Sequence, residues 1–108
     1  MKKAIIFRPD QYYQGILQLR PINKKLLDFS IQEIKQSKYC ELSKMLETKF
    51  GYDLYLTSNK FLQVLGSRLK NKFRGKLIKS RTLFGRNRMT SRDVYRMTIC
   101  FRMETQSE

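Results

Sequence analysis

A chain of 108 residues is long enough for one domain with one modest core. It carries 23 Lys and Arg against 9 Asp and Glu, for a formal net charge of +14. It has no His, hence no side chain that normally titrates near neutrality, and its two cysteines, Cys40 and Cys100, stand too far apart for a zinc or redox motif. Enzymatic activity, a metal site and a cofactor are therefore not expected.

The charge is unevenly placed. Residues 1–67 hold eleven Lys and Arg against six acids, whereas Arg68 to Arg102 holds twelve against one, Asp93. Such an imbalance costs stability through self-repulsion, and a polyanionic partner is the use that compensates for it.

Residues 1–11 read as a basic arm with a short apolar stretch, Ala4 to Phe7, followed by a turn at Pro9 and Asp10. The arm is either an edge strand or an extended tail. Its start resembles a signal peptide, but Arg8 and Asp10 end the apolar run after four residues. No run reaches membrane-spanning length. A cytoplasmic protein with unbridged thiols is the expectation.

Tyr12 to Arg20 alternates as a strand, with Tyr13, Gly15, Leu17 and Leu19 on one face. Tyr12, Gln14, Ile16, Gln18 and Arg20 fall on the other, and Pro21 ends the strand. Asn23 is placed to cap a helix running to about Gln36, with Leu27, Ile31 and Ile34 at helical spacing. In residues 37–50, Leu42, Met45 and Leu46 suggest a short helix stopped by Gly51. Tyr52 to Thr57 reads as a short strand. Ser58 or Asn59 caps a second helix to about Phe73, with an apolar stripe of Phe61, Leu62, Leu65, Leu69 and Phe73. Gly66 weakens that helix unless a neighbour packs closely there.

Lys76 to Arg102 reads as two strands about a turn, Gly85-Arg86-Asn87-Arg88. On the first, Ile78, Ser80, Thr82 and Phe84 alternate with Lys79 and Arg81. On the second, Tyr95, Met97, Ile99, Phe101 and Met103 alternate with Arg96, Thr98, Cys100 and Arg102. Tyr95 and Phe101 are expected in the core. Residues 104–108 are a polar, frayed tail.

The expected order is strand, helix, strand, helix, strand, strand. Two helices cover one face of a small sheet, an α+β two-layer domain spanning residues 1–108. The open face is expected to present Lys79, Arg81, Arg96 and Arg102, with Tyr12 as a stacking platform. Arginine offers a planar fork that matches phosphate oxygens, and lysine a point charge. The candidate RNA-contacting set is therefore Arg86 and Arg88 at the turn, Lys79, Arg81, Arg96 and Arg102 on the sheet, and Lys70, Lys72, Arg74 and Lys76 between the second helix and the strand pair.

Four of these stretches, in this order, resemble the nonsense-mediated-decay protein three family, adaptors of the archaeal and eukaryotic large ribosomal subunit. YYQGILQLR (Tyr12–Arg20) resembles the strand after that family's zinc region. GYDLYLTSNK (Gly51–Lys60) is similar to its short strand leading into a helix. KSRTLFGRNR (Lys79–Arg88) is similar to its Lys-x-Ser-x-x-Leu-x-Gly-Arg-Asp-Arg signature, with Asn87 replacing the acid. VYRMTICFR (Val94–Arg102) resembles its closing strand. The resemblance implies a domain related to a eukaryotic large-subunit ribosomal protein. It also implies association with the large ribosomal subunit and its RNA, in the cytoplasm of an archaeon. The family's paired zinc-binding cysteines belong before Tyr12, where this sequence has none, so zinc binding is not carried over.

The expected function is a non-catalytic, monomeric RNA-binding module acting in ribosome biogenesis or in the regulation of translation. It takes no small-molecule substrate and no membrane. The alternatives are a general DNA-binding protein and an adaptor for an acidic protein partner.

Overall fold

The computed structural model describes residues 3–87 and 92–104. Their order is β1 (Lys3–Ile6), β2 (Gly15–Arg20), α1 (Lys24–Gln36), β3 (Leu42–Thr48), β4 (Gly51–Leu56), α2 (Asn59–Lys72), β5 (Gly75–Asn87) and β6 (Arg92–Met103). The strands form one mixed six-stranded sheet in the order β1-β3-β4-β2-β6-β5. The α+β two-layer class stands as expected.

Local chemistry sets both helices. The Asn23 side chain accepts from the Lys25 N–H at 2.8 Å, and Ser58 Oγ accepts from the Phe61 N–H at 3.2 Å. Each satisfies an amide that the first helical turn leaves without a partner. Leu26 and Ile34 of α1 and Leu62, Leu65 and Leu69 of α2 are buried. They form one cluster with Leu17, Leu19, Met45, Tyr52, Leu54, Leu56, Ile99 and Phe101 of the strands. Register places those strand residues on one face, so both helices lie on that face and leave the other uncovered.

Two assignments need correction. The segment expected as a short helix is strand β3, paired with both β1 and β4. Leu42, Met45 and Leu46 mimic a helical stripe, but the buried positions are Ser43 and Met45, two apart. The basic arm resolves into β1, an edge strand.

The second correction is at the hairpin. β5 and β6 are 13 and 12 residues long, and Gly85, Arg86 and Asn87 pair with Val94, Asp93 and Arg92. The expected turn is therefore largely ladder, with a register shift between Leu83 and Gly85. β6 pairs with β2 only from Met97 onward. Residues 92–96 pair with β5 alone, so the hairpin continues past the body as a two-stranded ribbon. The molecule is accordingly elongated, 55 × 28 × 26 Å.

Candidate nucleic-acid interface

Opposed residues in a ladder point to the same face, so register decides which cations act together. Lys79 opposes Ile99 and Arg81 opposes Met97. Both cations thus stand on the helix side of the sheet. Lys76 opposes Arg102, Ile78 opposes Cys100, and Thr82 opposes Arg96. The expected grouping of Lys79, Arg81, Arg96 and Arg102 on one open face is wrong by one residue of β5. Leu77, not Ile78, packs on the core, and Ile78 is 54% exposed.

The open face can be read row by row. At one end Arg20, Arg102 and Lys76 lie side by side on β2, β6 and β5. Arg20 is partly committed: it donates to Asp53 at 2.8 Å and to the Leu19 carbonyl at 3.0 Å. The next row holds Asp53, Gln18, Cys100 and Ile78, and the row after it Lys44, Tyr55, Ile16, Thr98 and Ser80. Asp53 is the one acid among the described strand residues of this face.

At the other end lies a cluster that the sequence reading missed. The Tyr13 and Tyr55 rings meet edge to face with centroids 4.8 Å apart. The Lys44 ammonium sits over the Tyr55 ring at 4.6 Å, and the Arg96 guanidinium over the Tyr13 ring at 4.0 Å. Arg96 also donates to the Tyr13 hydroxyl at 3.1 Å. Cation–π attraction and edge-to-face ring packing both favour this order of groups, cation, ring, ring, cation. Burial pushes the Tyr55 phenol above its ordinary pKa, so it stays neutral and able to donate. The doublet Tyr12-Tyr13 was the available signal. Strict alternation placed Tyr12 outward, but β2 begins only at Gly15. Tyr12 is exposed at the rim, where its hydroxyl accepts from Gln14 Nε2 at 2.9 Å.

The remaining candidates divide between other surfaces. Lys70, Lys72 and Arg74 are exposed at the end of α2, with the Lys72 ammonium 5.4 Å from the Phe29 ring centroid. Arg81 lies over the Tyr95 ring at 4.9 Å on the helix side. Tyr95 is 41% exposed, so its expected core role is a further correction, while Phe101 is fully buried. The backbone of Arg86 is part of the ladder, and Arg88 lies outside the described residues. Cys40 and Cys100 are both free thiols, and burial raises the pKa of Cys40. Among the described residues no helix is long and apolar enough to cross a membrane.

No curated protein sequence matches the chain. One family does: residues 12–103 match the family described as NMD3, second domain. The match begins at the tyrosine doublet and ends with β6, so it takes in both helices, five of the six strands and the uncovered face from Tyr13 to Arg102, leaving out edge strand β1. The chain therefore belongs to the NMD3 family, whose role is ribosome-related, and corresponds to that family's second domain.

Proposed function

We propose that the chain is a non-catalytic RNA-binding module that associates with the large ribosomal subunit, acting as a monomer in ribosome biogenesis or in the regulation of translation. The observation that carries this reading is the charge of the uncovered sheet face. Its described strand residues hold the five cations Lys44, Lys76, Arg20, Arg96 and Arg102 against one acid, Asp53, itself engaged by Arg20. A sheet face without a covering layer is ordinarily solvated and mixed in charge. One whose charges are nearly all positive favours phosphate. The helix-side cations Lys79, Arg81, Lys70, Lys72 and Arg74 add to the field that steers a polyanion inward but stand on a different surface.

The test is co-sedimentation with purified large ribosomal subunits across a salt series. Phosphate contacts release counterions, so affinity should fall about 10³-fold between roughly 50 and 200 mM salt if about six contacts form. Competition by structured RNA should exceed competition by duplex DNA. A flat salt response, or equal competition by DNA, would count against the reading. Retention of an acidic protein at high salt would favour the adaptor alternative.

A further inference from the structure

We infer that the uncovered face is shaped for double-helical RNA met from its minor-groove side, with one phosphate strand on each of two cationic rails. The inference rests on the RNA-binding reading above and specifies the form of RNA and the surface that takes it.

The rails are the two ends of the face. One is the row Arg20, Arg102 and Lys76, and the other is the Lys44–Tyr55–Tyr13–Arg96 cluster. On β6, Arg102 and Arg96 are six residues apart, roughly 20 Å at about 3.3 Å per residue. On β3, Lys44 lies four residues, roughly 13 Å, from the end that faces Arg20. The rails are therefore not parallel: the second runs obliquely, level with Thr98 at Lys44 and two residues further out at Arg96. They leave a strip between them that carries no net charge apart from Asp53, which Arg20 engages.

The chemistry of that strip points away from single strands and from sequence readout. Gln18, Thr98 and Ser80 offer amide and hydroxyl groups, interleaved with Ile16, Cys100 and Ile78. A ribose edge presents the same mixture, a 2′-hydroxyl among C–H groups. The A-form minor groove is wide and shallow and displays those riboses between its two phosphate strands, so a face without projections can meet it. Single-strand binders instead keep aromatic faces open for bases. Here Arg96 and Lys44 already lie over the Tyr13 and Tyr55 rings, which makes those rings supports for the cations rather than base platforms.

Fluorescence anisotropy with the full chain separates the possibilities. The probes are an RNA duplex, the DNA duplex of the same sequence and one strand of the RNA, all at the same salt. The RNA duplex should bind about ten-fold more tightly than either of the others, since only it combines 2′-hydroxyls with A-form phosphate spacing. The doubly substituted chain Gln18→Leu, Thr98→Val should bring RNA and DNA duplexes to within about three-fold of each other, with the salt slope unchanged because no phosphate contact is lost. A melt of this variant, together with retained binding to the DNA duplex, shows that it folds. Single-stranded RNA binding as tightly as the duplex would overturn the inference. So would a preference for RNA that survives both substitutions. If the chain co-sediments with large subunits but does not distinguish the duplexes, this inference fails and the proposed function stands. If it prefers duplex RNA but ignores the subunits, the reverse holds.

Discussion

Gly66 shows how one position is decided by its neighbours. It lies buried in α2, where glycine costs a helix roughly 1 kcal/mol relative to alanine. A Cβ built there would meet Ile99 Cγ2 at 3.5 Å and Leu77 Cδ2 at 3.6 Å, ordinary contact distances. Nothing therefore requires glycine, and Gly66→Ala should raise stability in a denaturant melt by about 0.5–1 kcal/mol. Destabilisation would mean that α2 sits closer to the sheet than these distances allow. Gly51 is the opposite case: its φ is +154°, and a Cβ there would overlap the Leu19 carbonyl oxygen. A second residue-scale prediction concerns the exposed clasp beside β1. Arg8 holds Asp10 through contacts of 3.0 and 2.9 Å, and the Tyr12 N–H donates to the same carboxylate at 3.1 Å. Together they lower the Asp10 pKa to about 2. Because the folded value is depressed, the clasp helps the fold above the ordinary carboxylate pKa of about 4 and is lost as pH falls through about 2. In Arg8→Ala the carboxyl resonance of Asp10 should titrate near the ordinary value. A midpoint still near 2 would assign the depression to the backbone amide.

At the scale of elements, what could be read in advance follows from how local each signal is. Both helices were legible to within a residue or two, because caps and apolar stripes are set by neighbours in sequence. β3 was not, because three apolar residues at helical spacing outweighed a two-residue alternation that only burial reveals. β5 was recognised as a strand but placed one residue out of phase. Leu77 and Ile78 are adjacent and both apolar, so the pattern alone does not say which one faces the core, and a one-residue slip exchanges the faces of every later side chain. That slip moved Lys79 and Arg81 onto the wrong surface. On β6 the alternation was right. It did not reveal, however, that residues before Met97 run past β2, beyond the covered part of the sheet. This difference has a measurable consequence. Phe101→Ala should cost about 3–5 kcal/mol, the usual range for a buried aromatic. Tyr95→Ala should cost about 1 kcal/mol or less, since the ring is 41% exposed and makes a surface contact with Arg81. Equal losses in parallel urea melts would place Tyr95 in the core after all.

For the whole molecule the question is which of two cationic surfaces meets the anion. The net charge of +14 guarantees attraction but does not direct it. The sheet does, because it separates Lys76 and Arg102 on the uncovered face from Lys79 and Arg81 on the helix side, within a single hairpin. These two pairs carry the same formal charge, and Lys76, Arg102, Lys79 and Arg81 are all exposed. Neither substitution removes a buried group, so each double alanine variant should fold with a change of about 0.5 kcal/mol or less per site. Their long-range contributions to steering are equal as well, which leaves direct contact as the difference. In Lys76→Ala, Arg102→Ala the slope of log affinity against log salt should flatten by about one for each lost phosphate contact, hence by about two. In Lys79→Ala, Arg81→Ala the slope should stay close to the parent's, with at most a modest drop in association rate at low salt. Titrations of both variants against large ribosomal subunits make the comparison. If the helix-side pair carries the slope change instead, the RNA lies along α2 and the outer hairpin, with Lys70, Lys72 and Arg74 as its next neighbours. A loss of about one from each pair would mean that the hairpin is gripped from both sides.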